Sequence, residues 1–420
     1  MLKFRCKPLY AMPVAACAAL FAPLAQAWVD TATKALPPAS SITHSAVAGS
    51  TPLHLIVSLQ LRNQSSLDAF LKNQHTAGSP QYGVTLTPDQ FAAAYAPSTD
   101  QAQAVTAYLA QSGFSNIQVA GNRLLVTADG TAAVAQRAFN TQLVQYQVGG
   151  QTVYSNASAA QVPDSLAGTV LAVQGLQNVA RHLTHRQMAQ RFDLPVPAGA
   201  RAPATIPGNS ANPTGATLTS TYTAADFRKA YDADAAPDGS GTTVAIISGG
   251  TDLIQVRADL QQAERDAGLP YVPTSVVQLE PVPNPQTTDN DGEWDLDSQS
   301  ASGMAYNVKQ IIFYNGASLD TGITLGANQF AVDNKAKALN ISIGGCEALD
   351  SVLGEMATVD QSFKQAVAQG QTVFVSAGDA GAACGVVINL ATPQSGVPQQ
   401  VEYPASSPYV VAVGGTSLIV

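Results

Sequence analysis

TTVAIIS, residues 242–248, is a run of strand formers whose apolar centre lacks the alternation of a half-exposed strand. Three similar runs follow, KQIIFYNG (309–316), ALNISIG (338–344) and TVFVSAG (372–378), with helix-compatible stretches between them. Strands apolar on both faces must be covered on both, and strands joined through helices lie parallel. Residues 217–420 are therefore expected to form an α/β unit, a parallel sheet flanked by helices. Gly249-Gly250 after the first run lacks the remaining glycines of a dinucleotide fingerprint, which argues against a cofactor turn there.

Upstream, LPVPAGARAPATIPGNSANPTGA (194–216) is dense in Pro, Gly and Ala without periodicity, so it reads as an exposed linker open to proteolytic cleavage. Before the linker the pattern changes. LHLIVSLQLR (53–62) is strand-like, and 64–75, 87–95 and 99–111 are helix-like, the second after Thr87-Pro88. FSNIQVAGNRLLVTA (114–128) reads as a hairpin turning at Gly121-Asn122, and 130–139 returns to helix. These elements make a compact α+β domain within 28–193, with its core at about 53–147.

Residues 1–27 stand apart from both units. Lys3, Arg5 and Lys7 precede an apolar run ending in Ala25-Gln26-Ala27, the form of a secretory signal cleaved after Ala27. A lipoprotein box at Val14-Ala15-Ala16-Cys17 is the rival, but the apolar run continues past Cys17. The chain is thus expected to be secreted, to the periplasm or outside the cell. Net charge is −9 and no basic stripe offsets it, which excludes nucleic acid and anionic membrane as partners. No later apolar run is long enough to span a bilayer. Once Cys6 and Cys17 leave with the signal, Cys346 and Cys384 remain, a natural disulfide in an oxidising compartment; two buried thiols are the alternative.

All five histidines, His44, His54, His75, His182 and His185, precede the linker. A Ser-His-Asp triad or an HExxH zinc site is therefore impossible downstream, and any hydrolytic base there is a carboxylate. DNDGEWDLDSQSASGMA (289–305) supplies candidates, since a helix opening near Gly292 puts Glu293 and Asp297, at i and i+4, on one face. Two carboxylates so placed suit acid/base work at low pH. A solvated acidic first turn is the bland alternative, and an EF-hand loop fails because Glu293 and Trp294 stand where it needs Asp/Asn and Gly. In SAGDAGAACG (376–385) a buried strand runs into Gly378-Asp379 at the carboxyl edge of the sheet, where catalytic groups gather; an Asp capping the next turn is the plain reading.

Together these stretches resemble the sedolisins, the serine-carboxyl peptidase family that includes kumamolisin. GEWDLD carries the family's Glu-x-x-x-Asp helix, SAGDAG is similar to its oxyanion loop, and NISIGGCE (340–347) to the strand before its cleft. YPASSPYVVAVGGTSL (403–418) is close to a family signature, and YGVTLTPDQFAAAYAPS (82–98) looks like the activation propeptide. The resemblance implies a subtilisin-like fold, preceded by a ferredoxin-like propeptide domain that acts as an intramolecular inhibitor. It implies an endopeptidase of proteins and peptides in which Glu293 is the general base, Asp297 orients it and Asp379 donates to the oxyanion. A Cys346–Cys384 disulfide would brace the loop of Asp379.

The family's nucleophilic Ser belongs to a Gly-Thr-Ser motif well beyond the 403–418 signature. Ser417, in Gly415-Thr416-Ser417, lies within that signature and is not expected to be the nucleophile. The sequence is accordingly expected to hold the first part of a catalytic domain, inactive by itself, with the calcium of the complete domain held by ligands beyond this chain. The rival reading is a non-catalytic binding or inhibitory protein built from a degenerate peptidase half.

Overall fold

The computed structural model describes residues 27–148, 150–179, 182–184, 223–282, 291–378, 381 and 400–415. The N-terminal unit contains β1 (Trp28–Asp30), β2 (Ser45–Ala46), β3 (Pro52–Leu59), α1 (Gln64–Gln74), α2 (Pro88–Ala94), α3 (Thr99–Ser112), β4 (Ser115–Val119) and β5 (Leu125–Thr131). It continues with α4 (Ala132–Ala138), β6 (Leu143–Val148), β7 (Gln151–Asn156), β8 (Gln161–Pro163), β9 (Val170–Gln174) and β10 (Leu183–Thr184). The helix starts follow from local chemistry. Thr87 and Ser98 each accept from the backbone three residues on, and Gln90 and Gln101 return the bond, closing capping boxes on α2 and α3.

Strand order β4-β5-β3-β9, all antiparallel, is the ferredoxin-like arrangement expected from sequence. Its core extends past the expected limit of about 147, because β9 at 170–174 is the partner of β3. Leu55, Val57, Leu109, Val126, Phe139 and Val173 bury the sheet against α3 and α4.

The expected two-residue turn at Gly121-Asn122 does not form; five residues connect β4 to β5. Asn122 is buried instead, and its side-chain amide donates to Asn328 Oδ1 and Gln365 Oε1, both at 2.7 Å, in the second unit. A buried amide with two acceptors outweighs the local turn preference. The hairpin tip is thus a docking element.

The second unit holds α5 (Ala224–Ala230), β11 (Thr243–Gly249), α6 (Ile254–Asp266), β12 (Thr274–Gln278), α7 (Asp291–Ala305), β13 (Gln310–Gly316), α8 (Leu319–Asp333), β14 (Ala338–Ile341) and β15 (Ile343–Cys346). After these come α9 (Glu347–Val352), α10 (Glu355–Ala368), β16 (Thr372–Ser376), β17 (Glu402–Tyr403) and β18 (Val411–Val413). Six parallel strands run in the order β12-β13-β11-β14-β16-β18, with Ile246, Phe313, Leu339 and Val375 fully buried between helices, as the apolar runs require.

ALNISIG departs from expectation, since one strand becomes two. β14 stays in the parallel sheet, whereas β15 leaves it after Ser342 and pairs antiparallel with β17 on one side and with β10 of the first unit on the other. Helix α10 is the main platform between the units. Its Gln361 accepts from the Leu61 amide at 2.7 Å and donates to the Leu59 carbonyl at 2.9 Å, and Lys364 reaches Asp68 at 2.8 Å.

Candidate functional site

Helix α7 places Glu293 and Asp297 one turn apart on the same face, as the spacing predicts. Glu293 is buried beside the fully buried Trp294, which anchors the helix in the core of the parallel sheet. Asp297 is half-buried and accepts a 2.8 Å hydrogen bond from Ser342, the residue at the break between β14 and β15. At the helix start Asp291 accepts from Thr251 at 2.7 Å. A solvated acidic first turn is therefore not what forms, because both ends of the carboxylate face are tied to sheet edges.

The strand of SAGDAG runs beside this break, and Ser376 donates to the Ile341 carbonyl at 3.3 Å. Gly378 has a φ of +89°, and a Cβ there would lie 2.4 Å from the buried Glu402 carboxylate, so only glycine fits. Glu402 belongs to β17, opposite Cys346 of β15. Cys346 is buried. Asp379, Cys384 and Ser417 lie outside the described residues, as do the linker at 194–216 and all of the signal at 1–27 except Ala27. The signature at 403–418 has a structural role among the residues described: Tyr403 and Ser407 donate to the half-buried Asp360 at 3.0 and 2.7 Å.

Sequence reasoning missed a second group of residues, because it forms only between the two units. His182 is buried; its Nδ1 lies 2.6 Å from Asp320, and its Nε2 lies 3.4 Å from Asp350 and 3.7 Å from Glu355. Burial alone would neutralise this imidazole, but the Glu355 and Asp350 carboxylates and the bond to Asp320 outweigh it and hold its pKa well above the usual value. Burial raises both Glu355 and Asp350.

His54 forms a further charged contact, 2.8 Å from Glu280 and 2.6 Å from Asp129. The Glu280 bond comes first among the causes that raise His54 to about 9, against partial burial and with Asp129 adding to it. Burial of Glu280 acts in the other direction, yet its bonds from His54 and Thr321 hold its pKa low.

The sign of each shift fixes when it supports docking. A histidine with a raised pKa contributes fully below its ordinary 6.5, and for His54 that contribution is lost as pH rises through about 9. Glu280 contributes above its ordinary 4.5 and loses that contribution as pH falls through its lowered value. Acidification therefore acts on the carboxylate and leaves both histidines charged. Protection of the interface amides, taken relative to their intrinsic exchange rate at each pH, should be greatest between these limits, and His54→Ala should remove the loss of protection near pH 9. An unchanged alkaline limb in that variant would place the titration elsewhere.

Comparison with known proteins agrees with this two-unit architecture. Residues 39–179 match the family described as "Pro-kumamolisin, activation domain", and 286–418 match the subtilase family. Sedolisin of Pseudomonas sp. (strain 101) is 39% identical over 408 residues, covering 94% of this chain and 66% of that protein. Xanthomonalisin of Xanthomonas sp. (strain T-22) is 38% identical over 392 residues, covering 87% of this chain and 46% of that protein. The chain therefore spans about half to two thirds of the length of these relatives. A solved Pseudomonas sedolisin, described as a serine-carboxyl proteinase complexed with two molecules of pseudo-iodotyrostatin, is 40% identical over 47% of this chain and 54% of its own, with a TM-score of 0.42. With an activation domain of the pro-kumamolisin type followed by a subtilase-like peptidase unit, and with this identity to sedolisin and xanthomonalisin over most of its length, the chain belongs to the sedolisin family.

Proposed function

We propose that the chain is the precursor of a secreted serine-carboxyl endopeptidase that cleaves proteins at acidic pH through an acyl-enzyme. One observation carries the reading: Asp297 of the carboxylate helix is bonded to Ser342, where β15 turns out of the sheet and offers its edge to an extended segment, β10. Carboxylates thus stand beside a peptide-binding edge. Glu293 takes the proton of the nucleophilic Ser as it attacks the peptide carbonyl, and Asp297 orients Glu293. Asp379, protonated in acid, donates to the oxyanion. Glu293 then returns the proton to the leaving amine, and water releases the acyl group.

The activation domain covers the edge through β10 and so acts as an intramolecular inhibitor of protein and peptide substrates' access. Cleavage in the linker at 194–216 frees the cleft. The signal at 1–27 directs secretion, and Cys384 is the partner of Cys346. Ser417 is not assigned as the nucleophile, and residues 1–420 by themselves are expected to give no turnover. For the calcium of the family, the described residues offer no fitting set: the grouping of His182, Asp350 and Glu355 contains an imidazole, whereas calcium takes six to eight oxygens.

The test joins residues 1–420 to the C-terminal portion of a sedolisin relative and follows hydrolysis of acid-denatured protein from pH 3 to 7. Turnover confined to acid, retained in Ser417→Ala, is the expected result. Failure of the joined protein to cleave after removal of the activation domain would favour the non-catalytic binding protein.

A further inference from the structure

β10 lies on β15 as an added antiparallel strand, with Leu183 opposite Gly344 and Thr184 opposite Ile343. Main-chain pairing of this kind accepts many sequences, so selectivity must come from side-chain pockets along the edge. One pocket is already in contact with the activation segment. The His182 imidazole lines a cavity of about 190 Å³ at the junction of the two units, together with Asp320, Asp350, Glu355 and Gly345.

Three features distinguish this wall from a solvated acidic surface. Asp350 and Glu355 are nearly inaccessible, and Asp350 Oδ2 and Glu355 Oε1 have no hydrogen-bond partner although both face the imidazole. Asp320 accepts from the His182 backbone amide at 2.8 Å as well as bonding its ring, so it fixes both the strand and the side chain. Gly345 leaves the space, since a Cβ there would lie 3.0 Å from the ring and 3.0 Å from the Asp350 carboxylate. Buried acceptors left without donors are costly, and the pocket is built so that a cationic side chain, here the His182 imidazole, faces both of them.

We propose that Asp320, Asp350 and Glu355 form a substrate subsite for a basic side chain, which His182 of the activation segment occupies until that segment leaves. Antiparallel pairing carries an occupant from Gly344 toward Ile343, and the next residue of that edge, Ser342, holds Asp297. The basic side chain accordingly sits a few residues before the bond presented to the carboxylate pair. The longer Lys and Arg side chains reach the unsatisfied oxygens that the imidazole meets only at 3.4 and 3.7 Å. The assignment rests on the cleft reading above, and its test separates the two.

The full 420-residue chain is prepared with His182→Gly, which empties the pocket, and Leu183→Pro, which stops β10 from pairing. Fluorescent peptides Arg-Leu-Thr and norleucine-Leu-Thr, blocked at both ends, are titrated into it at pH 6. The Arg peptide should bind at least about tenfold more tightly. Adding Asp350→Asn and Glu355→Gln should erase that advantage while leaving the norleucine peptide bound, which also reports that the edge is intact. Equal binding of both peptides before those changes would overturn the subsite and spare the cleft. Binding of neither peptide would overturn the cleft reading, and the subsite with it.

Discussion

Glu293→Gln, in residues 1–420 joined to the C-terminal portion of a sedolisin relative and freed of the activation domain, should lower kcat by roughly a hundred- to ten-thousand-fold. The substitution keeps the side chain's shape and its polar end, so the buried position on α7 stays filled, but an amide oxygen cannot take a proton from the attacking Ser. Substrate binding depends on the β15 edge and not on this carboxylate, so KM should change far less than kcat. The companion change at the oxyanion position should behave differently. Asp379→Asn keeps a donor and should be milder than Asp379→Ala, with a weaker dependence on acid. Full turnover in Glu293→Gln would remove the base assignment.

Trp294→Ala should have the largest effect on stability, lowering the unfolding free energy of the second unit by about 3–5 kcal/mol in urea titrations followed by far-UV circular dichroism. Trp294 is fully buried in the core formed by Ile246, Phe313 and Ile323, and it lies between the helix residues that carry Glu293 and Asp297. Truncation leaves a cavity that the parallel sheet is too rigid to close. The same change should loosen α7 and so reduce turnover. A loss below about 1 kcal/mol would mean that the helix is held by its polar ends instead.

What the sequence made legible was whatever depends on local pattern. Apolar runs such as TTVAIIS and KQIIFYNG announce buried parallel strands because their period is independent of neighbours, and Thr87-Pro88 announces a helix start because the cap is closed within four residues. Glu293 and Asp297 were legible as a pair for the same reason, their spacing on one helix.

Features set by contacts across the chain were not legible. Asn122 reads as a turn residue and becomes a buried interface amide because Asn328 and Gln365 lie more than two hundred residues away. ALNISIG reads as one strand, but β10 and β17 draw its second half out of the sheet. His182 carries no signal of its own, since Asp320, Asp350 and Glu355 surround it only after the two units dock.

The central claim is that Glu293 and Asp297 work as one unit beside the β15 edge, and a double-mutant cycle on kcat tests it most directly. Glu293→Gln, Asp297→Asn and the double variant are compared in the joined, activated protein at its acid optimum. Residues that act as a unit are strongly non-additive, so the double variant should be no more than a few-fold slower than Glu293→Gln alone. Losses that multiply, with the double variant slower by the product of the two single effects, would contradict a coupled pair.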